Sequence, residues 1–255
     1  MNFEELVAIV ARLRGPDGCP WDREQTRESL RPFLVEEFYE VIDAMEEEDT
    51  GGIREELGDL LFQIVLQSQL FSEEGTFGIN DVIEGIGRKM VSRHPHVFGD
   101  KDLKTAEDVS SWWAEHKRKE GKGHDSAIGG VPASLPSLIR AQEIQRRATR
   151  VGFDWEKIDD VFQKLEEEVR ELRDAAGRNN RDELEDEIGD LLFVLVRIAS
   201  SFDIDAENAL RRSIRKFIRR FRHMETGAGR QGRSLSDMTL AEMDVLWNEA
   251  KKQQE

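Results

Sequence analysis

The sequence predicts an all-α protein made of two tandem copies of one helical unit. Three observations carry that prediction. Apolar residues recur at helical spacing along most of the chain, alternating β patterns are absent, and four blocks of sequence occur twice in the same order. "VEEFYEVIDA" (35–44) returns as "LEEEVRELRDA" (165–175), and "EELGDLLF" (55–62) returns as "DEIGDLLF" (186–193). Downstream, "GRKMVSRH" (87–94) pairs with "IRKFIRRF" (214–221), and "WWAEHK" (112–117) with "LWNEAK" (246–251). The repeated unit is about 115–120 residues long.

The elements follow in order. "FEELVAIVARLR" (3–14) has apolar residues at helical spacing and stops at the turn-rich "GPDGCPWD". Further helices are expected at about 26–47, 51–74, 79–93 and 105–119. Thr50 followed by two glycines marks one boundary, and Asn80 with Asp81 marks the start of another helix. "GKGHDSAIGGVPASLP" (121–136) has no period and reads as a flexible linker between an N-terminal unit (1–120) and a C-terminal unit (137–255). The second unit repeats the scheme at about 137–150, 157–177, 180–201, 205–226 and 237–254. "GAGRQGRS" (227–234) lacks phosphate-loop spacing and reads as a flexible connector.

Composition narrows the function. There is no apolar run of 18 residues, and the chain opens with the acidic "MNFEEL", so neither a membrane span nor a secretory signal is expected. The single Cys19 cannot form an internal disulfide and fits a reducing cytoplasm. A net charge of −16 repels nucleic acid and attracts cations. An acidic protein that handles phosphates then needs metal ions or a local basic patch.

The repeated acids supply the first. On a helix Glu36 and Glu40 project about 40° apart, with Glu37 close by, and Glu56 and Asp59 share a face of the next helix. The second copy offers Glu167, Glu168, Glu171, Glu187 and Asp190. Leu57, Leu60, Ile64, Phe62 and Leu66 flank the stripe of Glu56, Asp59 and Gln63, and carboxylates between apolar walls are costly without a compensating charge. Gly58 and Gly189 each cost their helix about 1 kcal/mol relative to alanine, which suggests close approach of another backbone or a ligand. An all-carboxylate site suits Mg²⁺, with Mn²⁺ as a substitute. No histidine follows a glutamate at the spacing a di-iron bundle uses, and "HPHVF" (94–98) reads as a structured turn.

Basic and aromatic residues supply the second. Lys89 and Arg93, like Lys216 and Arg220, lie one helical turn apart, and phosphate oxygens are their expected target. Trp113 with Lys117 and Trp247 with Lys251 keep the same spacing, which suits stacking a base beside a phosphate, although a helical tryptophan is as readily a core residue. No phosphate-binding glycine loop and no nucleophilic triad is present, so the chemistry falls to metal and water.

With "EExxE" followed by "ExxD", together with "GCPWDREQT" (18–26), "RHPHVFGD" (93–100) and "VGFDW" (151–155), the chain resembles the MazG family of nucleoside triphosphate pyrophosphohydrolases over nearly its whole length. The resemblance implies an all-α fold whose units form four-helix active cores, usually through dimerisation. It also implies Mg²⁺-dependent hydrolysis of nucleoside triphosphates to monophosphate and pyrophosphate, with broad base tolerance and a role in cleaning the nucleotide pool. The family's metal ligands correspond to Glu168, Glu171, Glu187 and Asp190, and in the first copy to Glu37, Glu40, Glu56 and Asp59. Its nucleotide-contacting positions correspond to Lys216, Arg220, Trp247 and Lys251, with Lys117 contributed by the first unit. Glu36 or Glu167, the first acid of each motif, would orient or deprotonate the attacking water. The alternatives are a narrower helical pyrophosphatase for dUTP or a phosphoribosyl nucleotide, a regulator that binds nucleoside triphosphate without turnover, and an RNA-binding protein using 211–222. The intact acidic motifs argue against the regulator and the net charge against the RNA binder.

Overall fold

The computed structural model describes residues 1–117, 126–178 and 180–252, and helices dominate both of its compact units, Met1–Glu120 and Gly121–Glu255. Among the described residues there is no strand, and no helix is long and apolar enough to cross a membrane.

The first unit opens with α1 (Phe3–Arg14), whose start is fixed by a reciprocal capping box. Asn2 Oδ1 accepts from the Glu5 backbone N–H at 2.9 Å, and Glu5 accepts from the Asn2 N–H at 2.7 Å. A short α2 (Pro20–Glu24) follows. The expected helix from about 26 begins later, as α3 (Arg31–Glu46). Thr26 and Ser29 instead exchange hydrogen bonds between hydroxyl and backbone, holding 26–30 in a turn, and Pro32 lies in the first turn of α3. Next comes α4 (Thr50–Glu73), capped by Asp49. Gly52 lies in its first turn because a Cβ there would stand 2.8 Å from the capping carboxylate.

Antiparallel packing of α3 along α4 makes the body of the unit, and α1 lies on α4. Val10, Leu30, Val65, Leu66 and Leu70 form the buried core. Arg14 ties the α1 end of this packing. Its guanidinium, with the side chain 7% exposed, makes three hydrogen bonds to Glu73 and also donates to the carbonyls of Asp22 and Gln25. After α4 come α5 (Ile79–Arg93), α6 (Pro95–Phe98) and α7 (Ala106–Lys117). "HPHVF" is therefore a short helix as well as a turn, with Pro95 as its first residue.

The second unit repeats the plan with α8 (Ser137–Arg150), α9 (Ile158–Arg178), α10 (Arg181–Ser201), α11 (Ala206–Arg230) and α12 (Leu240–Lys252), and α9 packs along α10. Two expectations of flexibility are corrected. Within 121–136, residues 121–125 lie outside the described residues, while 126–136 are turns held to the unit by Arg147, which donates to the Gly129 carbonyl. The stretch 227–234 is not a loose connector either, because α11 runs on to Arg230. Gly227 permits this: a Cβ there would sit 2.9 Å from Leu246 Cδ2, so its absence lets α12 close onto α11 over Met224, Ala228 and Met238.

The start of α12 is pinned by charge. Glu242 accepts from the Thr239 backbone N–H and from Arg233, and these bonds push its carboxyl down to about 2. A depressed carboxylate pKa stabilises the fold above its ordinary value of 4.5, and that stabilisation is lost as pH falls toward 2. Urea unfolding of wild type and Glu242→Gln should therefore differ near neutral pH and converge across that acid window. A gap that does not change with pH would contradict the cap.

Candidate metal and nucleotide site

Helical spacing builds each acid cluster from two neighbouring helices. In the first unit Glu37 and Glu40 stand on α3 one turn apart, and Glu56 faces them from α4, with carboxylate oxygens of all three within 4.8 Å of one another. Asp59 is near enough for its charge to act on Glu37 and Glu56. In the second unit Glu168 stands at the centre of two such groups, one with Glu167 and Glu171 on α9, the other with Glu187 and Asp190 on α10. The eight acids expected as ligands thus gather as two fours. Glu36 is not brought in: it is exposed and belongs to neither close group.

Carboxylates with oxygens within 4.8 Å of one another repel. The acids register that repulsion. Burial, then the charge of Asp59, raises Glu37, against a lowering hydrogen bond from Gln63. Burial together with Glu40 and Asp59 raises Glu56, and burial together with Glu171, Glu168 and Asp190 raises Glu187.

The second cluster contains a residue that sequence reasoning missed. Lys164 Nζ lies 2.7 Å from both Glu167 and Glu168, and these bonds raise the lysine and hold Glu167 below the usual carboxylate range. Its legible signal was the one-turn spacing to Glu168. In the first unit the corresponding support is Gln63, already part of the stripe read from the sequence, which is 6% exposed and hydrogen-bonds Glu37.

Two buried oxygens report on whether the clusters suit a cation. Glu168 is 3% exposed, and its Oε2 has no hydrogen-bond partner; the buried Gln63 Oε1 also has none. Orphaned acceptors among mutually repelling carboxylates fit a hard divalent cation with oxygen ligands. Gly58 and Gly189 do not face a close backbone within their own units, where a Cβ would meet nothing within 4 Å. That corrects one source of the expected close approach.

The basic and aromatic residues assemble differently in the two units. On α11 and α12, Trp247 stands 5.4 Å from Phe217 between ring centroids, with the Arg220 guanidinium 5.7 Å from its ring. Trp247 also packs on the core around Met224 and Leu246, which is the core role left open for it. In the first unit the Trp113 indole N–H donates to the Arg93 carbonyl at 2.7 Å, with His94 edge-on at 5.3 Å. Lys89, Lys216 and Lys251 are exposed, and the Lys117 side chain lies outside the described residues.

Comparisons with known proteins agree with this geometry. A family model described as the MazG nucleotide pyrophosphohydrolase domain matches twice, at residues 25–98 and 157–225, and each match contains one acid cluster. A Thermotoga maritima protein named nucleoside triphosphate pyrophosphohydrolase/pyrophosphatase MazG is 43% identical over 98% of this chain and 95% of its own. An Escherichia coli K12 nucleoside triphosphate pyrophosphohydrolase is 42% identical over 99% and 98%. The Bacillus subtilis protein YabN is 43% identical over 98% of this chain, which spans 52% of that longer protein.

A carboxylate with a raised pKa favours the fold below its ordinary value and opposes it as pH rises through the raised one. Glu56→Gln and Glu187→Gln should therefore each raise the unfolding temperature of metal-free protein at neutral pH, measured by calorimetry in chelator. A fall in both would contradict mutual repulsion in the clusters.

Proposed function

The chain belongs to the MazG family, and on that premise we propose that it hydrolyses nucleoside triphosphates to monophosphate and pyrophosphate. The observation that carries this reading is the pair of four-carboxylate clusters, each on two helices and each within a match to the family. Mg²⁺ is the proposed cofactor, with Mn²⁺ able to substitute, held by Glu168, Glu171, Glu187 and Asp190 in the second unit and by Glu37, Glu40, Glu56 and Asp59 in the first. When bound, such an ion acidifies coordinated water and screens the triphosphate charge.

The chain's own residues supply the rest. Water oxygen bonds to the α-phosphorus, the bond from that phosphorus to the α–β bridging oxygen breaks, and pyrophosphate leaves with the oxygen. Glu167, held below the usual carboxylate range by Lys164, is the proposed acceptor of a hydrogen bond from the attacking water. Lys216 and Arg220 lie one turn apart on α11 and offer donors to charge that builds on the departing pyrophosphate. Phe217, Phe221 and Trp247 present aromatic faces that stack on any base, which accounts for broad base tolerance. Cleaning of the nucleotide pool in the cytoplasm follows as the proposed role.

A homodimer completes the site in this reading. Leu57, Leu61 and Ile64 are exposed beside the first acid cluster, and Ile188, Leu192 and Leu195 are exposed at the corresponding positions beside the second. Leu210, Ile214 and Phe217 continue an exposed apolar face on α11. Apolar stripes repeated at matching positions fit burial by a like unit of a second chain around a symmetry axis.

Chromatography of ATP or dGTP reactions should show monophosphate and pyrophosphate, with turnover abolished by chelator and restored by Mg²⁺ or Mn²⁺. Diphosphate and orthophosphate as first products would overturn the assignment. Asp190→Ala should lose activity at unchanged helicity. The two units are proposed to share the work unequally. Glu168→Ala should nearly abolish turnover while Glu37→Ala leaves a substantial fraction, with a dimeric mass by light scattering in both. Greater damage from Glu37→Ala would reverse the ranking of the units.

A further inference from the structure

The two acid clusters differ at two aligned positions. Lys164 on α9 corresponds to Phe33 on α3, and Val194 on α10 corresponds to Gln63 on α4. In the C-terminal cluster an ammonium lies 2.7 Å from both Glu167 and Glu168, and Val194 is 6% exposed. In the N-terminal cluster Phe33 turns into the core beside Val10 and Leu30, with Trp21 edge-on at 5.8 Å, and carries no charge. The support for Glu37 there is the neutral amide of Gln63, whose own carbonyl oxygen is buried without a partner. An amide donor orients a carboxylate without cancelling its charge. An ammonium within hydrogen-bond distance of two carboxylates orients them and cancels part of their repulsion.

We propose that the clusters load divalent cations unequally when no nucleotide is bound: the N-terminal cluster accepts an ion directly, whereas the C-terminal cluster must first release Lys164. This rests on reading both clusters as metal sites. An ion entering the first cluster meets four unneutralised carboxylates and an unused amide oxygen. An ion entering the second competes for Glu168, 3% exposed, with a cation tethered one helical turn away. Tethering gives that competitor a high effective concentration, and the attraction it loses is stronger at a buried carboxylate than in water. The resting protein then carries its ion mainly in the N-terminal unit.

Mn²⁺ titration of the full-length protein, followed by electron paramagnetic resonance without nucleotide, tests this. Wild type should show two classes of site, the tighter removed by Glu56→Gln and the weaker by Glu187→Gln. Lys164→Met should tighten the weaker class about tenfold, the scale of one partly buried ion pair. Lys164→Gln, which keeps a donor without the charge, should act in the same direction and guards against misfolding of the first variant. Equal affinities in wild type, or no tightening in either Lys164 variant, would overturn the proposal. If neither glutamine variant removed a class, the clusters would not be metal sites at all, which is a separate failure of the underlying reading.

Discussion

Like charges brought together on two packed helices are the constraint around which each unit is organised. In both units two consecutive long helices, α3 with α4 and α9 with α10, pack along one another, and that packing places acids from one against acids from the other. Glu168 is 3% exposed at the centre of its group, while Glu40, Asp59, Glu171 and Asp190 are exposed. Stability therefore comes from elsewhere, from apolar cores such as Val10, Leu30, Val65, Leu66 and Leu70, and from ties such as the Arg14 guanidinium on Glu73. The fold holds a charged arrangement that a divalent cation would relieve.

Duplication has preserved the acids while changing what stands behind them. One copy supports Glu168 with Lys164, and the other supports Glu37 with Gln63. The basic and aromatic corner diverges in a similar way. In the second unit α11 continues for 25 residues and α12 folds back over Gly227, bringing Trp247 to Phe217 and Arg220. In the first unit only His94 separates α5 from Pro95, and Trp113 meets the helix end through the Arg93 carbonyl and His94. Two chain paths thus deliver a tryptophan to the end of a basic helix.

Most of this was legible in the sequence because helices announce themselves by period. The bounds of α1, α5 and α8 follow the apolar spacing, and the offset between the copies aligned the two acid groups before any geometry was known. The failures have particular causes. Thr26 and Ser29 are compatible with a helix by pattern, but their hydroxyls bond to the backbone in a turn, and the helix waits for Arg31. Glycines at 227 and 229 suggest a break, yet the helix continues because packing against Leu246 needs a residue without a Cβ. Lys164 went unnoticed because composition guarantees many lysine–glutamate spacings, and only the burial of Glu168 distinguishes the one that matters. Leu57 and Ile64, read from the sequence as apolar walls beside the acids, are exposed, since periodicity does not say what covers an apolar stripe.

The central claim is that water attacks the α-phosphorus of a nucleoside triphosphate held at the acid clusters. Hydrolysis in water enriched in oxygen-18, with the products read by phosphorus NMR and mass spectrometry, tests it most directly. The account predicts one labelled oxygen in the nucleoside monophosphate and none in the pyrophosphate. Label in the pyrophosphate would place the attack at the β-phosphorus and contradict the account.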